Sequence, residues 1–485
     1  MIGPVDSPIL GHNQLPLSPS VSDVGSLAAQ LEQRLVATES NEDAVKFLFK
    51  HMGLVAQDAV VQLTSGNTTH TQPQDWLRFV VQALDQVFLR GENIHVAVQK
   101  LEMSTLDKMG IIQSYYAAVH VSGLPILQHT SGLLSPKPSQ STCKAVYATF
   151  GGQGINVSYL DELRRLFRTY RTLIEGTLHD SNELVLSLLH RANSPEIYTQ
   201  GLSVMTWLES HESAPGQDYL SFAPVSFPLI GLLQLVSYEV TCKTLGLHPG
   251  QVQDSLSGTT GHSQGLIAAA VVAMADSWES WRTATRLAIT SLFWLGLRAQ
   301  QAFVCAAISP AMAKDSEMHD EGIPTPMLHL RGFEREEIQT QISKANKKLC
   351  TGSRLALALV NGAKNFVVSG APIGLYGLNR QLRKLKQQDQ RTRRYLPVSA
   401  PFHNNCLAAV PKIVQRDLNG ISIHPSDLKV SLFCTKTGRD LKSSDSDLLP
   451  NLLCLILSEP LDWEVASAFP GATHIVDFGP GGVNV

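Results

Sequence analysis

The sequence predicts an α/β protein preceded by a mainly helical N-terminal region. Residues 1–140 carry apolar residues at helical spacing and end in a stretch rich in proline and serine. From residue 141 onward, short strand-like apolar runs alternate with longer helix-compatible runs, as in an α/β domain. Residues from about 326 to 398 follow a different, β-α-β-β-α rhythm. We therefore expect one domain at 1–140 and a second at 141–485, with an insert.

Composition excludes several classes of function. The 485 residues are 44% hydrophobic and 17% charged, as in an ordinary globular protein with a sizeable core. With 39 basic and 42 acidic residues, the net charge of −3 indicates neither a nucleic-acid nor a membrane partner. No apolar run approaches the length needed to span a bilayer, and no signal pattern is expected. Seven scattered cysteines without a CxxC pair predict reduced thiols, no metal site and a cytoplasmic location.

The N-terminal region shows its clearest helical pattern between Trp76 and Leu89. Apolar residues in this run share one face, and Gly91 ends it. Core packing is the expected use of the face, and a groove for a partner is the alternative. A linker is expected at Ser131–Ser141, where SGLLSPKPSQS contains two prolines and four serines.

The pentapeptide GHSQG, at Gly261–Gly265, places Ser263 in the middle of a predicted strand-to-helix turn. Such a turn is a nucleophile elbow. The flanking glycines leave room for a tight backbone and for an approaching carbonyl group. The first free N–H groups of the following helix would stabilise an oxyanion beside Ser263. An ordinary turn that matches GxSxG by chance is the alternative.

A serine nucleophile needs a base, and an imidazole usually serves. His403 follows a predicted strand, and Pro401 fixes the backbone just before it, as a turn that places one imidazole requires. A purely structural histidine is the alternative. Because adjacent side chains on a tight turn usually point apart, we expect His262 to orient or pack rather than to act as the base.

The predicted strand AVYATF, at Ala145–Phe150, runs into the glycine-rich loop GGQG at Gly151–Gly154. Its glycines allow close approach of a ligand, and Gln153 offers a carboxamide. The loop lacks the GxGxxG spacing of a dinucleotide site, so nucleotide binding is excluded. Helices are expected at 161–178, at 227–245 with Pro228 near its start, and at 276–303 with Ser277 as a cap.

The insert at about 326–398 has its own sequence of elements. MLHL, beginning at Met327, is strand-like, and a helix, two strands and a second helix follow. The turn NGAKN, which starts at Asn361, is a good hairpin signal between the two inner strands. A β-α-β-β-α order predicts a ferredoxin-like insert.

Five motifs occur in one order along the chain. They are FGGQG at Phe150–Gly154, GHSQG at Gly261–Gly265, NGAKNFVVSG at Asn361–Gly370, LPVSAPFH at Leu396–His403 and ATHIVDFGPGG at Ala472–Gly482. Together they resemble the acyltransferase domain of the fungal fatty acid synthase β subunit, over about residues 145–482. The helical region before them resembles the N-terminal segment of that subunit. The resemblance implies an α/β hydrolase-like core with a ferredoxin-like insert.

The resemblance implies roles for individual residues. Ser263 would be the nucleophile and His403 the base of a dyad. A backbone carbonyl would orient the imidazole, so no carboxylate is expected as a third member. The backbone N–H groups of Gln153 and Gln264, beside Gly152, would form the oxyanion and substrate-binding site. No cofactor would be bound tightly. Acyl-CoA would acylate the serine, and the phosphopantetheine thiol of an acyl carrier protein on the α subunit would collect the acyl group.

The resemblance also bears on the substrate and on other side chains. Malonyl-selecting relatives place an arginine in the helix after the elbow to pair with the free carboxylate. Here the corresponding stretch SLFWLG is apolar, which favours acetyl or another short starter, although Arg286 and Arg298 lie one or two turns away. Asp477 is expected to be structural. Candidates for the acyl pocket are His262, Phe293, Leu295 and Asn361. For Phe293 and its neighbour Trp294, core packing is the preferred alternative.

Two other classes of function remain open at this point. A serine thioesterase or hydrolase would use the same elbow but release the acyl group to water. A truncated, non-catalytic assembly module of a fatty acid synthase is the other alternative. The β subunit normally continues into further domains, so a fragment or a standalone descendant in primary or secondary metabolism is expected.

Overall fold

The computed structural model describes residues 49–50, 52–57, 72–128, 132–134, 144–154, 158–303, 307–385 and 391–481. The chain forms two compact units. The first comprises Met1–His129 with Arg168–Leu173, and the second comprises Thr130–Phe167 with Ile174–Val485. Most of the predicted linker at 131–141 lies outside the described residues.

The first unit is helical, as its apolar periodicity predicts. Its elements are α1 (Gln72–Ala83), a π-helical segment (Leu84–Leu89), α2 (Ile94–Gln99) and α3 (Thr105–Ser122). Ser104 caps α3 by accepting the N–H of Asp107, and Gly123 ends this helix in the left-handed conformation. Side chains of the Trp76 run, including Leu77 and Val80, are buried in the core of this unit. The run therefore packs the core.

The second unit contains two sheets. Its strands are β1 (Val146–Phe150), β2 (Leu256–Gly261), β3 (Met327–Arg331), β4 (Ala356–Gly362), β5 (Asn365–Ser369), β6 (Thr392–Tyr395), β7 (Leu461–Asp462) and β8 (His474–Asp477). The smaller sheet is parallel, in the order β2-β1-β8. The larger sheet has the order β6-β3-β5-β4-β7 and is mainly antiparallel.

Helices surround these sheets. They are α4 (Tyr159–Ala192), α5 (Val204–Glu209), α6 (Gln217–Leu220), α7 (Ala223–Thr244), α8 (Pro249–Gln253), α9 (Gly265–Met274), α10 (Trp278–Ala302), α11 (Pro310–Met318), α12 (Arg335–Asn346), α13 (Pro372–Arg383), α14 (Val410–Asp417), α15 (Leu448–Leu457) and α16 (Trp463–Ala466). Ser277 caps α10, as predicted, and its hydroxyl accepts the N–H of Ser280.

The larger sheet has two distinct faces because side chains alternate along each strand. One face carries Leu328, Leu330, Phe366 and Val368, and these residues belong to a buried apolar cluster that also includes side chains of α12 and α13. The opposite face carries the intervening residues. His329 of β3 lies on this second face, directly opposite Val367 of β5. This second face is the one that meets the site described below.

Helix α7 corrects two expectations. At 22 residues it is long and apolar enough to cross a bilayer, contrary to the expectation that no run approaches that length, but 89% of its most apolar window is buried inside the protein. A core helix that is apolar on all sides gives the same signal. The helix also begins at Ala223, with Pro224 in its first turn, so Pro228 lies inside the helix rather than near its start.

Two glycines bring the turn after β2 into close contact with β1. A Cβ atom at Gly265 would collide with the carbonyl oxygen of Phe150 and lie 2.6 Å from that of Gly151. A Cβ atom at Gly261 would collide with the backbone of Gly265. Only glycine fits at these positions, so the first turn of α9 can lie directly against the end of β1.

Gly265→Ala is expected to destabilise the protein by about 1–3 kcal/mol, because the added methyl group meets backbone atoms that cannot move aside. The matched control is Gly176→Ala in α4, where nothing lies within 4 Å of the added atom. That change should stabilise the protein by roughly 0.5–1 kcal/mol through helix propensity. Urea denaturation measures both variants, and equal midpoints would contradict the proposed close packing.

Candidate active site

Ser263 lies on the sharp turn between β2 and α9. Its φ of 54° is in the left-handed region, which a non-glycine residue seldom adopts. Hydrogen bonds hold the turn on both sides: His262 N–H donates to the carbonyl of Phe150 over 2.7 Å, and Gly265 N–H donates to that of His262 over 3.0 Å. A strained residue held by its neighbours is typical of a functional site.

His403 lies beside this serine, although the two residues are 140 positions apart in the sequence. Its Nε2 is 2.9 Å from Ser263 Oγ, and its Nδ1 is 2.9 Å from the carbonyl oxygen of Glu459. Because a carbonyl can only accept, Nδ1 carries the proton and donates it to Glu459. Nε2 is then the unprotonated nitrogen and accepts the Ser263 hydroxyl proton. The pair has the geometry of a nucleophile and its base.

Burial keeps the His403 imidazole neutral. Its side chain is only 2% exposed. Loss of hydration lowers its pKa to about 4, and the nearby His262 contributes to the lowering, while the hydrogen bond to Glu459 acts in the opposite direction. At neutral pH the ring therefore has a free lone pair on Nε2. Protonating it costs energy unless a negative charge forms beside it, as it does when a serine attacks a carbonyl.

Asn404 fixes the position of the histidine turn. Its side-chain amide donates to the carbonyl oxygens of Arg354 and Ser369 at 3.2 and 3.1 Å, and its backbone N–H donates to Leu457. His403 itself has a φ of 57°, so the second member of the pair is also held in the left-handed region. Asn404 is not among the residues that the sequence pattern singled out, although its place directly after the histidine is a signal that could have identified it.

The predicted oxyanion residues line the same cavity as the pair. Neither Gln153 nor Gln264 donates its backbone N–H to an acceptor among the described residues. The Gln153 side chain instead anchors its loop, donating to the carbonyl oxygens of Ser221 and Pro397 at 2.5 and 3.0 Å. Gly152 packs against His262, since a Cβ atom there would lie 2.9 Å from His262 Nδ1.

His262 connects the serine turn to the larger sheet. Its Nε2 donates to Asn361 Oδ1 on β4 over 3.0 Å, and its ring makes an edge contact with Trp463. Burial lowers its pKa, and the hydrogen bond to Asn361 acts against this. With a proton on Nε2 and a neutral ring, His262 does not share the serine proton with His403. This arrangement agrees with an orienting and packing role.

A cavity of about 270 Å³ lies between the serine turn and the larger sheet. Its walls are mostly apolar, with three imidazoles and several amides. The lining residues are Gly152, Gln153, Gly154, Phe227, His262, Ser263, Gln264, Met327, His329, Leu359, Asn361, Asn365, Val367, Leu396, Val398, Phe402, His403 and Trp463. None of these residues is a lysine or an arginine. Within the described residues, no cluster of metal-ligating side chains is found.

The structure places several candidates away from this cavity. Phe293 and Leu295 are fully buried, and neither is among its described lining residues. Phe293, on α10, stacks on Tyr198 with 5.6 Å between ring centroids, so its side chain packs in the protein core. Arg298 is held in a two-pronged ion pair with Asp417.

Arg286, on the same helix, is exposed to solvent and does not line the described cavity. Asp477, at the end of β8, accepts the backbone N–H of Gly479 over 2.9 Å. The Gly479 carbonyl in turn accepts the N–H of Gly151 over 2.8 Å. Asp477 thereby supports the loop that carries Gly152, in keeping with a structural role.

The fold and the site define an α/β protein in which a neutral imidazole contacts a serine, an arrangement used by enzymes that form a serine ester. A family model described as "Starter unit:ACP transacylase in aflatoxin biosynthesis" matches residues 148–403, more than half of the chain. A second, "N-terminal domain in fatty acid synthase subunit beta", matches residues 25–122. The chain belongs to the starter unit:ACP transacylase family, and the resemblance drawn from the five motifs is confirmed.

Curated relatives are fungal. Fatty acid synthase beta subunit TOXC of Cochliobolus carbonum is 36% identical over 93% of this chain and 23% of its own length. Fatty acid synthase subunit beta of Saccharomyces cerevisiae is 35% identical over 84% of this chain and 21% of its own. This chain thus spans about a fifth of these relatives. A solved loading acyltransferase from the avermectin modular polyketide synthase is 20% identical, with a TM-score of 0.49 over 69% of this chain and 87% of that one, too distant to inform the chemistry.

Acylation of Ser263 is expected to lose rate only when the pH falls toward 4, because His403 has a pKa of about 4 and must be neutral to act. An ordinary imidazole would give half of the maximal rate near its usual value of 6.5. Single-turnover acylation measured from pH 3.5 to 8 tests this. His403→Ala should slow the step by about 10²–10⁴-fold and remove the acid limb. An inflection near 6.5 in the wild type would contradict a buried, neutral base.

Proposed function

We propose that this chain transfers a starter acyl group from CoA, through an ester on Ser263, to the phosphopantetheine thiol of an acyl carrier protein in fatty acid synthesis. The observation that carries the proposal is the 2.9 Å hydrogen bond between Ser263 and His403 at the wall of a mostly apolar cavity. Membership of the transacylase family supports the reaction class. The relatives' names support the pathway.

In the first half-reaction, Ser263 Oγ attacks the thioester carbonyl while its proton passes to His403 Nε2. The carbonyl oxygen becomes an oxyanion, which the backbone N–H groups of Gln153 and Gln264 would stabilise together with the N-terminus of α9. The carbon–sulfur bond then breaks. The leaving sulfur takes the proton from His403, and CoA departs as a thiol, which leaves the acyl group on Ser263.

The second half-reaction reverses these roles. The carrier thiol gives its proton to His403, and its sulfur attacks the ester carbonyl. The bond between Ser263 Oγ and the acyl carbon breaks, and Oγ recovers the proton from His403. The carbonyl of Glu459 keeps Nδ1 protonated throughout, so the same nitrogen exchanges protons in both halves.

The lining of the cavity supports a neutral starter such as acetyl or another short acyl group. A malonyl group would bring a carboxylate into a space that has no lysine or arginine among its described lining residues. Burial lowers the pKa values of His262 and His329, so these imidazoles are also uncharged at neutral pH. An unpaired carboxylate in such a place is strongly disfavoured.

We also infer an α/β hydrolase-like core with a ferredoxin-like insert at about 326–398. In support, the elements β3-α12-β4-β5-α13-β6 pair in the order β6-β3-β5-β4, which is the alternation expected for a split β-α-β arrangement. The partner would be the α subunit that carries the acyl carrier protein, within a fatty acid synthase complex. The cytoplasm is the proposed compartment, in keeping with the free thiols of the described cysteines.

Incubation with acetyl-CoA or hexanoyl-CoA is expected to add one acyl group to the chain, visible as a mass shift of the intact protein. Ser263→Ala should abolish the adduct, and malonyl-CoA should label the wild type at least about tenfold more slowly, as an uncompensated carboxylate requires. A radiolabelled adduct should then move to the thiol of a holo carrier protein.

Three results would contradict this function. An adduct that survives in Ser263→Ala would place the chemistry elsewhere. Release of the label to water at the same rate with and without the carrier would instead favour a thioesterase. An unlabelled wild type that still assembles with the partner subunit would favour the non-catalytic module.

A further inference from the structure

The face of the larger sheet that lines the cavity continues beyond it to two arginines. Cross-strand pairing places Arg394 of β6 directly opposite His329 of β3, so both side chains lie on the same face. Arg331 follows His329 by two positions on β3 and therefore shares that face as well. His329 lines the cavity, whereas Arg331 and Arg394 are exposed to solvent. The two arginines thus lie on the cavity face of the sheet, next to the lining residue His329.

These two arginines differ from their neighbours in having no salt bridge within the described part of the chain. Arg393, on the opposite face of β6, is paired with Glu321, and Arg391, just before the strand, is paired with Glu337. Near the β4–β5 turn, Lys364 is paired with Glu334. Arg331 and Arg394, whose positive charges no described acidic side chain neutralises, therefore lie on the face of the sheet that lines the cavity.

The positive charge of Arg331 acts on His329, which lines the cavity. Burial lowers the pKa of His329, and the positive charge of Arg331 lowers it further, while the hydrogen bond to Asn365 acts in the opposite direction. His329 Nε2 donates to Asn365 Oδ1 over 2.6 Å. A polar pair, His329 with Asn365, therefore lies between the serine turn and the arginines.

A path of polar groups crosses the sheet from the nucleophile to its edge. Two hydrogen-bonded pairs lie along it: His262, beside Ser263, with Asn361 on β4, and Asn365 on β5 with His329 on β3, the strand next to β6. Strands about 4.8 Å apart put about 14 Å between β4 and β6. A phosphopantetheine arm has about thirteen bonds from sulfur to phosphorus, equivalent to roughly four extended residues, or about 14 Å.

We propose that Arg331 and Arg394 bind the phosphate at the end of the phosphopantetheine arm, the group shared by CoA and by a carrier protein. This inference rests on the proposed function. With the thioester at Ser263, the two amides of the arm lie along the asparagines and His329, and the phosphate reaches the two guanidinium groups. Arginine suits this role because its planar donors match phosphate oxygens.

The test compares acyl donors that do and do not carry the phosphate. With the wild type, acyl-4′-phosphopantetheine should acylate Ser263 at least about tenfold more efficiently than acyl-pantetheine, mainly through KM, as loss of a charge-assisted hydrogen bond predicts. The double variant R331Q/R394Q should lose this advantage while keeping its rate with acyl-pantetheine. R331K/R394K, which retains the charges, should recover part of it.

Arg282→Gln is the matched control. Arg282 lies on α10, is exposed to solvent and is not among the described lining residues of the cavity. It should leave both donors unaffected. A phosphate advantage that persists in R331Q/R394Q would overturn the proposal. Thermal denaturation of each variant checks folding, and both exposed positions should tolerate glutamine.

Binding measured by calorimetry separates failure of this site from failure of the catalytic proposal. 4′-Phosphopantetheine should bind the wild type at least about tenfold more tightly than pantetheine, and R331Q/R394Q should lose the difference, whether or not Ser263 reacts. Equal affinities of the wild type for 4′-phosphopantetheine and pantetheine would contradict the phosphate site but not the catalytic proposal. If Ser263 is never acylated but the affinity difference holds, only the proposed transfer fails.

Two further arms distinguish the source of the phosphate. If KM rises in R331Q/R394Q for both acyl-CoA and holo carrier protein, the two arginines serve the phosphate common to both. A rise for CoA alone restricts the site to the CoA phosphate. A rise for the carrier protein alone, with free 4′-phosphopantetheine binding unchanged, would overturn the proposal in favour of an acidic protein surface.

Discussion

The hydrogen bond from His403 Nδ1 to the carbonyl of Glu459 is the constraint on which the site depends. It fixes the tautomer, and thereby leaves Nε2 unprotonated and directed at Ser263. A backbone carbonyl has no charge and cannot titrate, so the base is oriented without a buried carboxylate beside it. Because Glu459 lies close to β7, which pairs with β4, this contact also ties the base to the larger sheet.

The two sheets contribute different parts of the site. The smaller parallel sheet presents the serine turn and the glycine-rich loop at the ends of neighbouring strands, which is where such sheets place their ligand sites. The larger sheet supplies one wall of the cavity and, through Asn361, holds His262. Residues from both sheets are needed to enclose Ser263, so the cavity forms only where the two sheets meet.

Local sequence predicted some parts of this arrangement well. The strand-to-helix turn of GHSQG follows from two glycines whose surroundings admit no Cβ atom. The resemblance implied that a main-chain oxygen orients His403, but sequence could not show that Glu459 supplies it, because a carbonyl leaves no trace in residue identity. It also could not separate Phe293 and Leu295 of the core from Met327 and Leu359 of the cavity. All four are apolar, and only tertiary packing decides which of them face the empty space.

Both members of the reacting pair have a positive φ, 54° at Ser263 and 57° at His403. A β-branched side chain in that backbone conformation clashes with its own peptide groups. Threonine is consequently disfavoured at the nucleophile position, even though it also carries a hydroxyl group. Cysteine, which is unbranched at Cβ, meets no such clash, so the main chain itself restricts the routes by which the chemistry could evolve.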